Sequence, residues 1–150
     1  MKQRWRAQKA WILGTAGVLL LLIGGLAVRY LLPRPVLEDV EEVQRISAEY
    51  WDEEVVLTEA AEGEILNLLA GEKCTRALQF KGFFFPEDRR VEIRLDLELG
   101  GVIDLYLGDD SVVQMWGGRE GYYRLPNARE LEERLTAVLL PLLPETEQST

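Results

Sequence analysis

The apolar residues of the chain begin with one continuous run. The nineteen residues from Ala10 to Val28 include a single polar side chain, Thr15, and no charge before Arg29. As a helix with a rise of about 1.5 Å per residue, this run is about 28 Å long, close to the roughly 30 Å hydrocarbon core of a bilayer. The pattern predicts a transmembrane helix over residues 10–32, to which the rest of the chain is tethered.

This run can remain as a signal anchor or be removed as a signal peptide. A signal peptide has a shorter apolar region that ends at a small-x-small cleavage site, whereas residues 28–33 read Val-Arg-Tyr-Leu-Leu-Pro. We therefore favour an uncleaved signal anchor. Three small residues of the run, Ala10, Gly14 and Gly17, would permit close packing on a second membrane helix, although glycine is also frequent in isolated spans.

Charge on the two flanks of the run predicts its orientation. Four basic side chains precede it, whereas the downstream flank becomes acidic from Glu38 onward. Because positive charge favours the cytoplasmic side of a span, we predict a basic cytoplasmic stub at residues 1–9 and an extracellular location for the chain after residue 32. The four basic residues are Lys2, Arg4, Arg6 and Lys9.

The segment after the run predicts little regular structure at first. Residues 33–42 contain two prolines and four carboxylates, which indicates a juxtamembrane linker. Short apolar segments at residues 43–49 and 55–57 predict two strands joined by a turn at Asp52 and Glu53.

Strict alternation of apolar and charged residues runs from Val91 to Leu99. This is the period of a strand with one buried face and one face in water. Glycine-rich turns then separate three further short, mainly apolar segments. We predict a four-stranded antiparallel meander at residues 91–99, 102–107, 112–116 and 122–125, with an additional strand at residues 74–80.

Two helices are predicted around this sheet. The first runs from a Thr58 cap to Gly71, and the second begins at Asn127 and ends at Pro141, because threonine and asparagine are favoured N-caps and proline breaks a helix. Each has apolar residues at helical spacing on one face. Their predicted buried residues are Ala61, Ile65, Leu68 and Leu69 in the first helix, and Leu131, Leu135, Val138 and Leu139 in the second.

These elements together predict an α+β fold. A single transmembrane helix is followed by a small antiparallel sheet with helices packed on one face. The predicted extracytoplasmic domain spans residues 43–140, and the polar tail at residues 141–150 is predicted to be disordered.

Charge narrows the range of partners. Five of the 17 Lys and Arg residues precede residue 30, so residues 33–150 carry 12 basic side chains against all 26 acidic ones, a net charge of −14. Such a surface disfavours nucleic acid. It would suit cationic partners, or it serves only to keep the domain soluble.

The sequence offers little catalytic chemistry. It contains no histidine, which is the most frequent general base and metal ligand. Its single cysteine, Cys74, cannot form an internal disulfide and is predicted to be a small buried hydrophobe. Asp109 and Asp110 are adjacent carboxylates, but a solvated turn explains them more readily than a calcium site. We therefore expect a protein without catalytic residues, cofactor or metal.

Two aromatic clusters remain as candidate partner contacts. One is the consecutive triplet Phe83, Phe84 and Phe85, whose side chains cannot all face a single core. The other comprises Trp116, Tyr122 and Tyr123 across a glycine-rich hairpin. Exposed aromatic residues are frequent at binding sites, but aromatic core residues would give the same pattern.

The segment VVLTEAAEGEILNLLAGEKCTRALQF resembles a family of small exported domains of unknown function in Gram-positive bacteria. In that family a helix start of LT-x-x-x-E-I type precedes a strand meander, a Tyr-Tyr pair and a final helix. The resemblance covers residues 40–140 and implies a membrane-attached, extracytoplasmic α+β domain, without implying catalytic residues. The matching positions are Leu57, Thr58, Glu64, Ile65, Thr75, Arg76, Tyr122 and Tyr123.

The sequence thus favours a membrane-anchored extracytoplasmic binding domain with a protein partner in the cell envelope and no enzymatic activity. The alternative is a small accessory subunit that regulates a membrane complex through its transmembrane helix.

Overall fold

The computed structural model describes residues 2–77, 88–109, 111–117 and 120–144, with side chains described from residue 14 onward. The chain divides into two units, Met1–Leu32 and Pro33–Thr150.

The first unit is a single helix, α1 (Lys2–Leu31). Within it Gly14–Leu31 is predominantly apolar and has a single charged side chain, Arg29. Its leucine and valine side chains are exposed around the whole circumference. By length and composition α1 is able to cross a membrane, and a signal sequence shares this property.

The second unit is an α+β domain. Its described strands form one antiparallel sheet in the order β1-β4-β8-β7-β6-β5-β2-β3. The strands are β1 (Arg34–Pro35), β2 (Val43–Tyr50), β3 (Glu53–Val55), β4 (Lys73–Arg76), β5 (Arg89–Leu97), β6 (Val102–Gly108), β7 (Val112–Trp116) and β8 (Gly121–Arg124). Two helices, α2 (Glu59–Gly71) and α3 (Ala128–Leu139), complete the domain.

The core lies between the two helices and one face of the sheet. The alternation predicted for the first meander strand is confirmed, since Val91, Ile93 and Leu95 are buried and the residues between them are more exposed. Ile93 on β5 lies beside Leu105 on β6, which lies beside Val113 on β7. These side chains pack with Ile65 of α2 and Leu135 of α3 in one apolar cluster. The sheet therefore has one apolar face covered by helices and a second, more polar face.

Both predicted helices are confirmed. The Thr58 hydroxyl accepts a hydrogen bond from the Ala61 backbone N–H at 3.3 Å, as an N-cap does. Asn127 occupies the N-cap position of α3, but its side chain makes no capping hydrogen bond. All the predicted buried side chains of both helices are buried except Val138, which is only partly buried. Cys74 is fully buried, as predicted.

The first meander strand has the predicted length but begins and ends two residues earlier than predicted. Leu99, expected on the buried face, is 98% exposed, because β5 ends at Leu97. The Gly100 N–H donates to the Leu97 carbonyl, and Gly100 adopts a φ of +76°, a conformation that glycine accommodates without steric cost. The turn thus begins before the apolar alternation ends.

The expected linker at residues 33–42 belongs to the domain in part. Arg34 and Pro35 pair with β4, and the Val36 N–H donates to the Glu72 carbonyl at 3.0 Å. Val36 and Leu37 are buried in the core. The prediction of a linker was wrong for these residues because burial of two adjacent apolar side chains and pairing with β4 anchor the segment.

The end of the domain also lies later than predicted. After α3 a short 3-10 helix covers Leu140–Leu142, and Leu143 is buried in the core. The expected disordered tail therefore begins after this residue at the earliest, and residues 145–150 lie outside the described part. The predicted strand at residues 74–80 is observed as Lys73–Arg76, and its end also lies outside the described residues.

Candidate functional site

The polar face of the sheet carries one continuous row of polar side chains across its central strands. Cross-strand register places Arg94 on β5 beside Asp104 on β6, Asp104 beside Gln114 on β7, and Gln114 beside Tyr122 on β8. Directly opposed residues share a face of the sheet and contact one another. This row is therefore a continuous polar surface on the side away from the helices.

Asp104 holds the side chain of Trp116 in place. Its Oδ2 accepts a hydrogen bond from the Trp116 indole Nε1 at 3.3 Å, and its Oδ1 accepts from Arg94 Nη1 at 3.5 Å. Asp104 is only 4% exposed. Burial raises the pKa of its carboxyl above the usual 3.8, while the Arg94 charge and the Trp116 hydrogen bond lower that pKa in part.

Two other groups on the polar face, Glu92 and Tyr106, also have raised pKa values. Burial raises the pKa of Glu92, and the adjacent Glu49 carboxylate raises it further, against the opposing effect of Arg89. Burial likewise raises the pKa of the Tyr106 phenol to about 12. The phenol is thus neutral at physiological pH.

Gln114 is a buried amide beside the indole. It is 4% exposed, and its Nε2 donates to the Tyr122 hydroxyl at 3.3 Å. Within the described part of the chain the Gln114 carbonyl oxygen makes no hydrogen bond. Among the described residues, Arg90 Nε is the only side-chain N or O atom that is fully buried and has no hydrogen bond. The Gln114 carbonyl oxygen is therefore not fully buried and is open to solvent.

These residues line a cleft of about 270 Å³ at the end of β7 and β8, which we call the β7–β8 cleft. Its lining consists of Arg76, Gln114, Met115, Trp116, Glu120, Gly121 and Tyr122. The lining combines an aromatic wall with a carboxamide, a phenol and charged groups of both signs.

Arg76 reaches the cleft from β4. Its Nη2 donates to the Glu120 backbone carbonyl at 2.9 Å, and its guanidinium carbon lies 6.0 Å from the ring centroid of Tyr123. A Cβ atom at Gly121 would stand 3.1 Å from Arg76 Nη2, and Gly121 has a φ of +147°. Glycine at this position therefore allows the guanidinium to lie against the backbone of β8.

The structure separates the predicted aromatic cluster into two environments. Trp116 is 49% exposed and lines the cleft together with the partly buried Tyr122, whereas Tyr123 is 1% exposed in the core. Adjacent residues of a strand point to opposite faces, so Tyr122 and Tyr123 cannot share a site. The triplet Phe83, Phe84 and Phe85 lies outside the described residues.

The small residues proposed for membrane packing lie on α1. An added Cβ would meet no neighbouring atom at Gly14 or Gly17, so both leave open space on the helix surface. The side chain of Ala10 is outside the described set.

Sequence reasoning missed three residues of the site, Arg76, Gln114 and Asp104. Two of them carried a signal, because Asp104 and Gln114 are polar residues inside otherwise apolar strand segments. Arg76 carried none, since it reaches the cleft only through the pairing of β4 with β8.

The cleft brings a tryptophan, a tyrosine and an arginine together. Trp, Tyr and Arg are the residues enriched where binding energy concentrates. Within the described ranges no three His, Cys, Asp or Glu side chains form a group that could hold a metal ion.

Comparison with family models, with curated proteins and with solved structures finds no match to this chain. The resemblance to small exported domains therefore stays a prediction.

Proposed function

We propose that this protein is a membrane-anchored extracytoplasmic binding domain without catalytic activity, and that the β7–β8 cleft is its binding site. The observation that carries the proposal is the half-exposed Trp116 indole, which a buried carboxylate orients beside Arg76, Gln114 and Tyr122. Its exposure alone does not distinguish it from Trp51; its position in a cleft beside fixed polar groups does.

The cleft is preorganised for a ligand. The indole is hydrogen-bonded to Asp104, the carboxamide to Tyr122 and the guanidinium to the Glu120 carbonyl. Side chains that are already ordered lose less conformational entropy when a ligand binds. The cleft thus favours recognition of another envelope component, and a protein partner is the first expectation.

A second candidate function rests on α1. Its exposed glycines leave space for another helix, and small residues permit close helix contacts in membranes. On this alternative the protein is an accessory subunit that recognises a membrane complex through its span.

Crosslinking in the source cells, followed by purification of the tagged full chain, separates the two candidates. One variant replaces residues 10–28 by an unrelated apolar span, and the other carries Trp116→Ala. Loss of the crosslinked component with Trp116→Ala alone supports the cleft, whereas loss with the span replacement alone supports the accessory subunit. Full recovery with Trp116→Ala contradicts binding through the cleft.

A matched control for Trp116→Ala is Trp51→Ala. Trp51 is exposed to a similar extent, 56%, but lies between β2 and β3 at the other side of the sheet. Its replacement is expected to leave recovery unchanged.

A further inference from the structure

We propose that the ligand of the β7–β8 cleft is an uncharged sugar unit of an envelope glycan, an inference that rests on the proposed function. Three properties of the cleft carry it: the unused hydrogen-bonding capacity of a buried amide, the adjoining aromatic surface, and the balance of charge.

The Gln114 carboxamide supplies the polar specificity. It is buried and fixed by Tyr122, yet its carbonyl oxygen has no partner among the described residues. Because this oxygen is open to solvent while the amide is held by Tyr122, a ligand hydroxyl can replace water as its donor without rearrangement of the side chain. A carboxamide offers an acceptor and donors side by side, which matches neighbouring hydroxyl groups of a sugar ring.

Trp116 supplies an apolar surface next to this amide. Its ring nitrogen is engaged by Asp104 at 3.3 Å, which fixes the plane of the indole. The face of an aromatic ring carries negative electrostatic potential. The C–H groups on one face of a pyranose ring carry partial positive charge, so a sugar can stack on the indole while its hydroxyls reach Gln114.

Charge in the cleft favours a neutral ligand. Arg76 and Glu120 contribute one positive and one negative side chain, and the guanidinium already donates to the Glu120 carbonyl. The surrounding domain is strongly acidic, which repels anionic ligands. The volume of about 270 Å³ is small for a drug-sized ligand and suits one ring rather than an extended chain.

Fluorescence of Trp116 tests the inference directly. The chain has four tryptophans, so replacing Trp5, Trp11 and Trp51 by Phe leaves Trp116 as the single indole reporter. The full chain is placed in phospholipid nanodiscs, because alkyl maltoside detergents would themselves present sugars. Tetrasaccharides of glucose and of N-acetylglucosamine, together with purified cell-wall glycan, are then added.

We expect a saturable change in Trp116 emission with at least one of these probes. Calorimetry with the wild-type tryptophans is expected to show binding weakened at least about tenfold by Gln114→Ala or Trp116→Ala, and unchanged by Trp51→Ala. Because Gln114 is buried, the isosteric Gln114→Glu is measured in parallel with a thermal melt. It is expected to fold and to bind more weakly.

Absence of a saturable response to every probe would overturn the inference. Binding with an affinity that neither Trp116→Ala nor Gln114→Ala changes would overturn it as well. A photo-crosslinker in place of Glu120, which lines the cleft and bonds Arg76 through its backbone carbonyl only, distinguishes this failure from that of the proposed function. If the crosslinker captures a protein while no glycan binds, the sugar inference fails and the binding domain stands. If it captures nothing and no glycan binds, both fail.

Discussion

Asp104 links the folding of the sheet to the shape of the cleft. Its carboxyl is buried between Arg94 and Trp116, and each oxygen has a different partner. Because burial dominates, the folded state holds the Asp104 proton more tightly than the unfolded state does. The stability that this proton contributes is present at acidic pH and is lost as pH rises through the raised pKa.

Replacing Asp104 by Asn removes this titration. The free energy of unfolding of Asp104→Asn minus that of the wild type is therefore expected to increase as pH rises above the usual carboxyl pKa of 3.8. Urea unfolding at several values from about pH 4 to about pH 7 measures the difference. Arg94, Trp116 and Asp96 also affect the pKa of Asp104, and the effect of Asp96 is the smallest. Asp96→Asn is therefore the control. A difference that stays flat or falls with pH would contradict the assignment.

Two leucines of the same apolar alternation are expected to respond differently to truncation. Leu95 is fully buried, so Leu95→Ala should lower the free energy of unfolding by about 2–5 kcal/mol. Leu99 is almost fully exposed, so Leu99→Ala should change it by less than about 0.5 kcal/mol. Urea denaturation measures the free energy of unfolding of both variants and so tests whether β5 ends before Leu99. Equal losses of stability in the two variants would place Leu99 in the core.

At the level of elements, the hairpin between β2 and β3 is unusual. Tyr50 and Glu53 are paired, so the turn has only two residues, and both Trp51 and Asp52 have positive φ, 52° and 63°. Turns of this kind favour Asn-Gly. A left-handed conformation costs an ordinary residue about 1–2 kcal/mol, so this turn is strained.

Exchanging Trp51 and Asp52 for Asn and Gly should therefore stabilise the domain by about 1 kcal/mol. The exchange loses an exposed ion pair between Asp52 and Arg89, worth at most about 1 kcal/mol, and an edge-to-face contact of Trp51 with Tyr50, worth about 0.5–1.5 kcal/mol. Relief at two positions outweighs these losses. Urea unfolding measures the change, and Glu53→Gly, within a strand, should destabilise instead. A net loss of stability on exchange would show that the turn is not strained.

Most elements could be predicted because their signals are local. Alternation defined β5, glycine-rich turns separated β6, β7 and β8, and caps and helical spacing defined α2 and α3. The cleft could be predicted only in part, since its aromatic residues lie close together in sequence whereas Arg76 arrives through the pairing of β4 with β8. Long-range pairing leaves no local pattern. The grouping of Tyr122 with Tyr123 in one aromatic cluster was wrong, because the two-residue period of a strand sends adjacent side chains to opposite faces.

At the scale of the whole molecule, the apolar helix and the acidic domain predict different surroundings for the two units. An impermeant maleimide tests which side of the membrane the domain occupies. A cysteine replaces Leu99, which is nearly fully exposed, and the buried native Cys74 is left in place. We expect labelling in intact cells, because basic residues precede the span. Labelling only after lysis would contradict the extracellular location, and the wild-type chain gives the background from Cys74.

Both edges of the described sheet discourage the addition of further strands. β1 at one edge is two residues long and contains Pro35, which has no N–H to donate, and β3 at the other edge carries Glu53 and Glu54. Short edges, proline and charge are devices against edge-to-edge pairing.

These edges matter more for an anchored protein than for a freely diffusing one. Copies confined to a membrane plane meet at a high effective concentration. An edge that accepted further strands would therefore allow neighbouring domains to pair into a continuous intermolecular sheet. On the proposed anchoring, the short and charged edges of the described sheet would disfavour such pairing between crowded copies.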